Sequence, residues 1–446
     1  MSASMFCHTE FAVRVGIDWA DRQHCWSLQV AGSIDIQRGS FLHTPESIQR
    51  WAMDLAERFP GQQIAIALEQ SKGALVYALT RFQHLVIFPV HPSRSARYRS
   101  AMLPSGSKDD VKDSDLLLDL LIKHPERLRP LRPDTELTRK IQTLVEKRRQ
   151  LVDQRTAECN RLTSELKLYF PQALELFDEV QAPIAAAFLE RWPTLADVQR
   201  EDPELLRGFF FQHHSRSLDC IQRRLKIIAE AKPLTTDLAV IEPAVIQVRI
   251  FIQLLAALHR GIRAMDQAIE QAAHSHPDFA IFASFPSAGP AMAPRLLAAF
   301  GSHRDRYQSA TQLQAFTGIA PLKVASGSQC WIHFRWACPK FLRQTFHEYA
   351  ALSIQQCRWA NDFYKSQRAK QKGHHASVRS LAFKWIRILF RCWQSHCLYN
   401  EQIFLQARQP QSTSPATPAV PLAPGNPEDS RMKSVGELLR SIIATA

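Results

Sequence analysis

Three carboxylate-bearing stretches hold the residues whose types and spacing could do chemistry. Asp18 ends the apolar run of AVRVGIDWA, and Glu69 ends a second in IAIALEQSKG. The stretch SGSKDDVKDSD, residues 105–115, then puts four aspartates within seven positions, directly before LLLDLL. A carboxylate at the end of a buried strand is costly unless it is paired or bound to a cation. Strand-end carboxylates plus a helical pair suit a hard divalent ion, because Mg2+ prefers oxygen ligands. Two such ions, ~3.5–4 Å apart, can stabilise both the attacking and the leaving oxygen of a phosphodiester. The competing reading is a set of helix caps and surface salt bridges. On the helix, Leu116, Leu117, Leu120 and Leu121 form the core stripe. Asp113 lies three and four residues before the first two, on the same face and toward the sheet. Asp109 and Asp110 lie one turn earlier, and spacing does not choose between them. Asp115 falls between the stripes and is expected to face solvent.

A second group of residues lies near the C-terminus. FASFPSAGPAMAPRLLAAFG has the small residues and prolines of a tight turn entering a helix, a helix–hairpin–helix type of corner whose backbone N–H groups can meet a phosphate. The same turn is often only a corner. Ser326-Gly327-Ser328 sits in a loop, followed by Trp331, His333, Arg335 and Trp336. Between His333 and Trp393 there are twelve Lys and Arg against two acids, Glu348 and Asp362, which makes this segment the natural nucleic-acid surface. Arg335, Lys340, Arg343, Lys384, Arg387 and Arg391 are its candidate contacts. The last three share one helix face, while Leu381, Trp385 and Ile388 share another. His374 and His375 could bind a metal, but adjacent histidines without other ligands more often meet phosphate or solvent.

These residues need elements to position them. AVRVGIDWA, HCWSLQVAG and SIDIQRGSF read as three strands in a meander. TPESIQRWAMDLAERF reads as a helix capped by Thr44, with Pro45 in its first turn and Ile48, Met53 and Leu55 as apolar surface. QIAIALE and HLVIFPV are further strands, GALVYALTRF a helix, and SRSARYRSAM a basic helix. An α/β layer with a mixed sheet follows over residues 1–125. Residues 126–278 turn helical: Leu137, Ile141, Leu144, Leu151, Leu162 and Leu166 approach heptad spacing, and Arg148 and Arg155 interrupt it. A helical hairpin or an imperfect coiled coil is expected, with a second long helix near 237–275 packing back on the first. Residues 279–400 form a mainly α-helical unit. The Pro/Ser-rich tail, 401–446, is expected to be disordered, with a short terminal helix in KSVGELLRSIIATA.

The chain has 446 residues, a net charge of +13 and a pI near 9.5, a balance that favours a polyanionic partner, nucleic acid before membrane. Nine cysteines show no CxxC pair and fit no common zinc pattern, so reduced thiols in a cytoplasm are the reading. The N-terminus lacks an apolar signal core, and no apolar run is expected to approach the ~18 residues of a membrane span.

Taken in order, GIDWADRQH, ALEQSKG, KDDVKDSDLL, FPSAGPAMAPRLLAAFG, FTGIAPLKVASGS and FRWACPKFLRQTFHEYA resemble the DEDD transposases of the insertion-sequence 110 family. The resemblance covers residues 12–121 and 280–397 well and the helical middle loosely. It implies a RuvC-like domain of RNase H fold, a coiled-coil segment and a C-terminal transposase domain with a nucleophilic serine. The family's four acidic positions fall on Asp18, Glu69, Asp110 and Asp113. This sequence has Asp109 and Ser114 where the family has Thr and Ala, so Asp109 competes as a ligand. Motif alignment puts the nucleophile on Ser326, with Ser328 two residues away. The resemblance further implies Mg2+, with Mn2+ as an alternative ion, and DNA as substrate. It also implies a non-coding bridge RNA that pairs with donor and target. The family assembles as a dimer or tetramer whose active site joins the RuvC-like domain of one subunit to the transposase domain of another. The leading expectation is therefore an RNA-guided DNA recombinase of an insertion sequence. A RuvC-like nuclease that uses water, or a non-catalytic nucleic-acid-binding derivative, are the other two readings.

Overall fold

The structure, a computed structural model, describes residues 11–102, 110–215 and 217–402. It falls into two compact units that divide between Asp134 and Thr135. Asp109 and the tail from 403 onward lie outside the described residues.

In the first unit, strands β1 (Val13–Asp18), β2 (Gln23–Val30) and β3 (Ile36–Leu42) form the antiparallel meander that the alternating pattern predicts. Helix α1 (Pro45–Arg58) leads to β4 (Ile64–Leu68), α2 (Ala74–Leu79), β5 (Leu85–Pro89), α3 (Pro92–Met102) and α4 (Asp110–Lys123). The sheet order is β3-β2-β1-β4-β5, with β4 parallel to both β1 and β5. This is the mixed sheet of the RuvC-like, RNase H arrangement. Thr44 caps α1 by accepting from the Ser47 amide at 3.3 Å. The buried face of α1 is Ile48, Trp51, Ala52 and Leu55, at helical spacing. Met53, expected on that face, is exposed: five residues after Ile48 it has rotated well away from the stripe.

The two faces of the sheet are built from residues of different size. Val13, Val15, Ile17, Ile64, Ile66 and Leu68 pack with α1 and α2 in one cluster. On the other face, Ala65 and Ala67 meet Leu117, Leu120 and Leu121 of α4. Gly16 sits on that second face, and a Cβ there would collide with the Ser114 carbonyl oxygen and the Leu118 amide nitrogen. Small residues thus let the α4 backbone lie directly on β1. The buried leucines of α4 are Leu117, Leu118, Leu120 and Leu121, with Leu116 only half-buried, so the stripe is shifted slightly from the expected one.

The second unit opens with α5 (Glu136–Tyr169), whose cap Thr135 accepts from the Thr138 amide. Short helices follow at Ala173–Leu176, Pro183–Arg191, Leu195–Gln199, Pro203–Gln212 and Leu218–Glu230 (α6 to α10), then the long α11 (Leu238–His274). The early part of α5 shares a core with the end of α11, and its end shares one with the start of α11, so the two form a hairpin. Arg148, which interrupts the α5 heptad pattern, is answered by Asp266 of α11. Contrary to the expectation of no span-length apolar stretch, α11 is long and apolar enough to cross a membrane by length and composition, with a stretch of mean hydropathy 1.8. One face of it, with Val248, Phe251, Ile252 and Leu255, is buried in the helical core.

Helices α12 (Phe279–Ala283), α13 (Gly289–Phe300) and α14 (Ala310–Phe316) precede a hairpin of β6 (Leu322–Ser326) and β7 (Gln329–His333). Then come α15 (Lys340–Gln356), α16 (Arg358–Ala369) and α17 (His374–Gln394). Trp385, Trp393, Phe300, Phe346 and Tyr349 are fully buried at their centre. The buried Trp385 indole donates to Ser353 Oγ at 2.8 Å, so its polar atom is satisfied.

Gly16→Ala should cost about 1–3 kcal/mol or more, because the added methyl meets rigid backbone rather than a movable side chain. A urea titration followed by tryptophan fluorescence checks this, and an unchanged midpoint would show that α4 can shift away freely.

Candidate active site

Ile17 of β1 and Leu68 of β4 are partners in parallel register, so Asp18 and Glu69 follow side by side at the same end of the sheet. Ile17 and Leu68 face the α1 side; alternation therefore turns Asp18 toward the α4 side, the face on which Gly16 lies. The contact of α4 with β1 brings the first turn of α4 to the same place. Asp113 is 4% exposed there and pairs with Arg99 of α3, whose Nη2 lies 2.6 Å from its carboxylate. Asp110, the first residue of α4, is exposed, and Glu69 is half-buried.

The Asp18 carboxyl is pushed up to about 6, first by burial and then by the charges of Asp113, Asp110 and Glu69; Arg99 pulls it back. The four sequence-selected carboxylates thus lie within electrostatic reach of one another. Among the described residues no three acidic, histidine or cysteine groups are placed as ligands of a single ion. In charge and donor type the four carboxylates fit a hard divalent ion. As the side chains stand, a guanidinium, that of Arg99, lies beside Asp113. The cap reading holds in part, since Asp110 and Asp113 also complement the N-terminal end of the α4 dipole.

Two further aspects of α4 differ from the sequence reading. Asp115 is half-buried rather than freely solvated: it takes a two-pronged ion pair from Arg38 of β3 and a 2.6 Å hydrogen bond from Ser27. Ser114 Oγ lies 2.8 Å from Ser27 Oγ, and both residues are buried. Since Ser27 is the register partner of Gly16, this polar clamp pins α4 at its closest approach to the sheet. Arg99 was missed by the sequence reading, because α3 showed only a general basic character. Tyr98, beside it, donates to Asp119 at 2.6 Å and ties α3 to α4.

In the second unit, Ser326 ends β6 and pairs with Gln329, leaving Gly327 and Ser328 as a two-residue turn. Gly327 has φ of +57°, a conformation in which a side chain would be strained. The expected loop is therefore the tip of a hairpin in which every residue from Leu322 to His333 is exposed. A short Gly-Ser turn between two five-residue runs was the available signal. Arg335, Lys384 and Arg387 line one cavity at the base of this hairpin, together with Lys370, Lys372 and Arg379, which the sequence reading had not selected. Arg343 stands over the Phe334 ring beside it. Lys340 and Arg391 are exposed and do not line the cavity. His374 Nδ1 meets the Tyr364 hydroxyl at 2.8 Å, and no metal-ligating group forms around the two histidines among the described residues.

Residues 15–171 match a family described as transposase, of the IS110 DEDD type, and residues 280–365 match the family described as transposase IS116/IS110/IS902. The first match covers the carboxylate-bearing unit and α5, and the second covers the segment around Ser326. The chain belongs to the IS110 family of transposases. It is 28% identical to the "Mini-circle putative transposase for IS117" of Streptomyces coelicolor, over 90% of this chain and 96% of that protein. It is 25% identical to an IS110 insertion-element protein of the same organism, over 78% of this chain and 86% of the other. As an IS110-family transposase, the protein has DNA as its substrate.

Because the Asp18 carboxyl holds its proton more tightly in the fold than its ordinary value of 3.8, it contributes stability that is present below about pH 4 and lost as pH rises through about 6. Asp18→Asn keeps the neutral form at every pH. In EDTA its melting temperature should rise above that of the natural protein as pH goes from about 4 to 7. The gain is on the order of 1 kcal/mol after allowing for partial exposure. Parallel pH profiles for the two proteins would contradict the mutual repulsion.

Proposed function

We propose that this IS110-family transposase is a divalent-metal-dependent DNA recombinase that cuts and rejoins insertion-sequence ends through a serine nucleophile. The observation that carries this reading is the convergence of Glu69, Asp110 and Asp113 on the half-buried Asp18. Asp18, Glu69, Asp110 and Asp113 are the residues that would hold Mg2+ or Mn2+. A bound ion would supply Lewis-acid stabilisation of the charge that develops on the phosphate oxygens. Ser326 Oγ attacks a DNA phosphate, a phosphoserine bond forms, and a DNA hydroxyl leaves. Attack on that bond by a second DNA hydroxyl frees the serine and rejoins the strand, so no outside energy source is needed. An exposed hairpin tip, with a glycine beside the serine, gives a phosphodiester open access to Ser326.

A bridge RNA that pairs with donor and target would supply sequence recognition, leaving the protein to make backbone and shape contacts. The basic residues Arg335, Lys340, Arg343, Lys384, Arg387 and Arg391 suit that task. A dimer or tetramer acting in the cytoplasm completes the reading. The water-using nuclease is the competing one, and the chemistry of the products separates the two.

Incubation of the protein with element-end DNA and Mg2+ should leave a protein–DNA adduct that survives denaturant. Ser326→Ala should abolish the adduct and lower strand exchange by at least about 100-fold, whereas Ser328→Ala should retain both. Cleavage by Ser326→Ala without an adduct would establish the nuclease instead. For the metal, an ion entering the site has to displace Arg99 from Asp113. Arg99→Gln should therefore enlarge the rise in melting temperature that Mg2+ or Mn2+ produces, relative to the natural protein. An unchanged metal response would mean that the Arg99 pair does not compete with the ion.

A further inference from the structure

The cavity at the base of the β6–β7 hairpin is partly open to solvent and has a volume of about 690 Å3, enough to hold a small molecule. Among the described residues, six Lys and Arg side chains line it and no carboxylate does. Its wall also carries Phe334, Phe363 and Phe383. Cations already lie against these rings: Arg343 and Arg379 stand 4.8 and 5.1 Å from the Phe334 centroid, and Lys384 Nζ is 4.2 Å from that of Phe363. Of the two acids in this segment, Glu348 is taken up elsewhere, by Arg295 and Arg149.

Duplex DNA presents its phosphates on a convex surface and its bases only edge-on in a groove. For that partner a basic ridge suffices, and a concave aromatic wall contributes little. A nucleotide outside a duplex presents a flat apolar face together with a phosphate, and this cavity offers partners for both. A planar guanidinium held on Phe334 is itself a surface on which a base can stack.

We propose that this cavity binds one unpaired nucleotide of a single-stranded segment, its base among Phe334, Phe363 and Phe383 and its phosphates on the surrounding Lys and Arg side chains. Ile332 and His333 line the cavity at one end of the hairpin, and Ser326 lies at the other. The four steps from Leu322 to Ser326 span ~13 Å of strand. An unpaired chain advances further per nucleotide than the ~3.4 Å of a stacked duplex strand, so the held nucleotide lies within about four positions of a phosphate at the serine. This spacing rests on the proposed role of Ser326; the binding of an unpaired base does not.

The test is fluorescence anisotropy in EDTA, where no strand chemistry takes place, so its outcome is independent of the adduct experiment. The probes are oligothymidylate of about 12 nucleotides, oligouridylate of the same length, an abasic phosphodiester chain of the same length, and a duplex. The protein should bind the base-bearing single strands about ten-fold more tightly than the abasic chain. The stronger of the thymidylate and uridylate arms identifies the polymer. Phe334→Ala, and separately Ala376→Trp, which fills the cavity, should erase the preference for bases while keeping affinity for the abasic chain. That retained affinity also shows that each variant is folded. Equal binding of base-bearing and abasic chains overturns the proposal, as does a preference that survives in both variants. Tighter binding of the duplex than of either single strand, or displacement by polyglutamate as effective as by oligothymidylate, also overturns it.

Discussion

The first unit depends on one close contact, the backbone of α4 lying on β1 at Gly16. A helix normally stands off a sheet by the length of its side chains. Here glycine in β1 and alanines in β4 remove that spacing, and the buried Ser27–Ser114 hydrogen bond fixes the position along the strand. Two consequences follow from the same contact. Leu117, Leu120 and Leu121 close the core on that face, and the helix's first turn is held beside the strand end that carries Asp18. Stability and chemistry share one packing interaction, so the acidic site is a product of the core rather than an addition to it.

That site concentrates negative charge where solvent is partly excluded, which raises the free energy of the fold unless a cation is present. Arg99 supplies one, held in place by the α3–α4 tie through Tyr98 and Asp119. The second unit carries the opposite charge for a different reason. Its core is closed by aromatic packing and by the ion pairs of Glu348 with Arg295 and Arg149. That carboxylate is thereby engaged away from the cavity, and among the described residues no acid joins the cations in the cavity lining. An IS110-family transposase handles a polyanion, and its two units differ in character: one groups carboxylates, the other basic and aromatic side chains.

Much of this was legible in the chain because it rests on local patterns. Alternation gave the meander, the capping pair Thr44-Pro45 gave the start of α1, and the leucine run placed Asp113 on a buried face. Where the reading failed, the cause was pairing or packing that periodicity does not register. Asp115 looked solvated because it falls between the leucine stripes; Arg38, 77 positions away, binds it. Met53 looked buried because it is apolar, yet Trp51 and Ala52 fill that face. The hairpin at Ser326 was read as a loop, since two exposed strands leave no alternation between core and solvent to detect.

By itself, then, the sequence determined the elements, the identity of the acidic residues and the family, because backbone propensities, side-chain periodicity and motif order are local properties. Tertiary structure decided which of those residues meet. That Asp18 shares its surroundings with Glu69, Asp110 and Asp113, that Arg99 is the cation among them, and that six basic residues scattered from 335 to 387 line one cavity depend on register and on helix–sheet distance. Those are set by the size of buried side chains on elements far apart in the chain, down to the missing Cβ of Gly16.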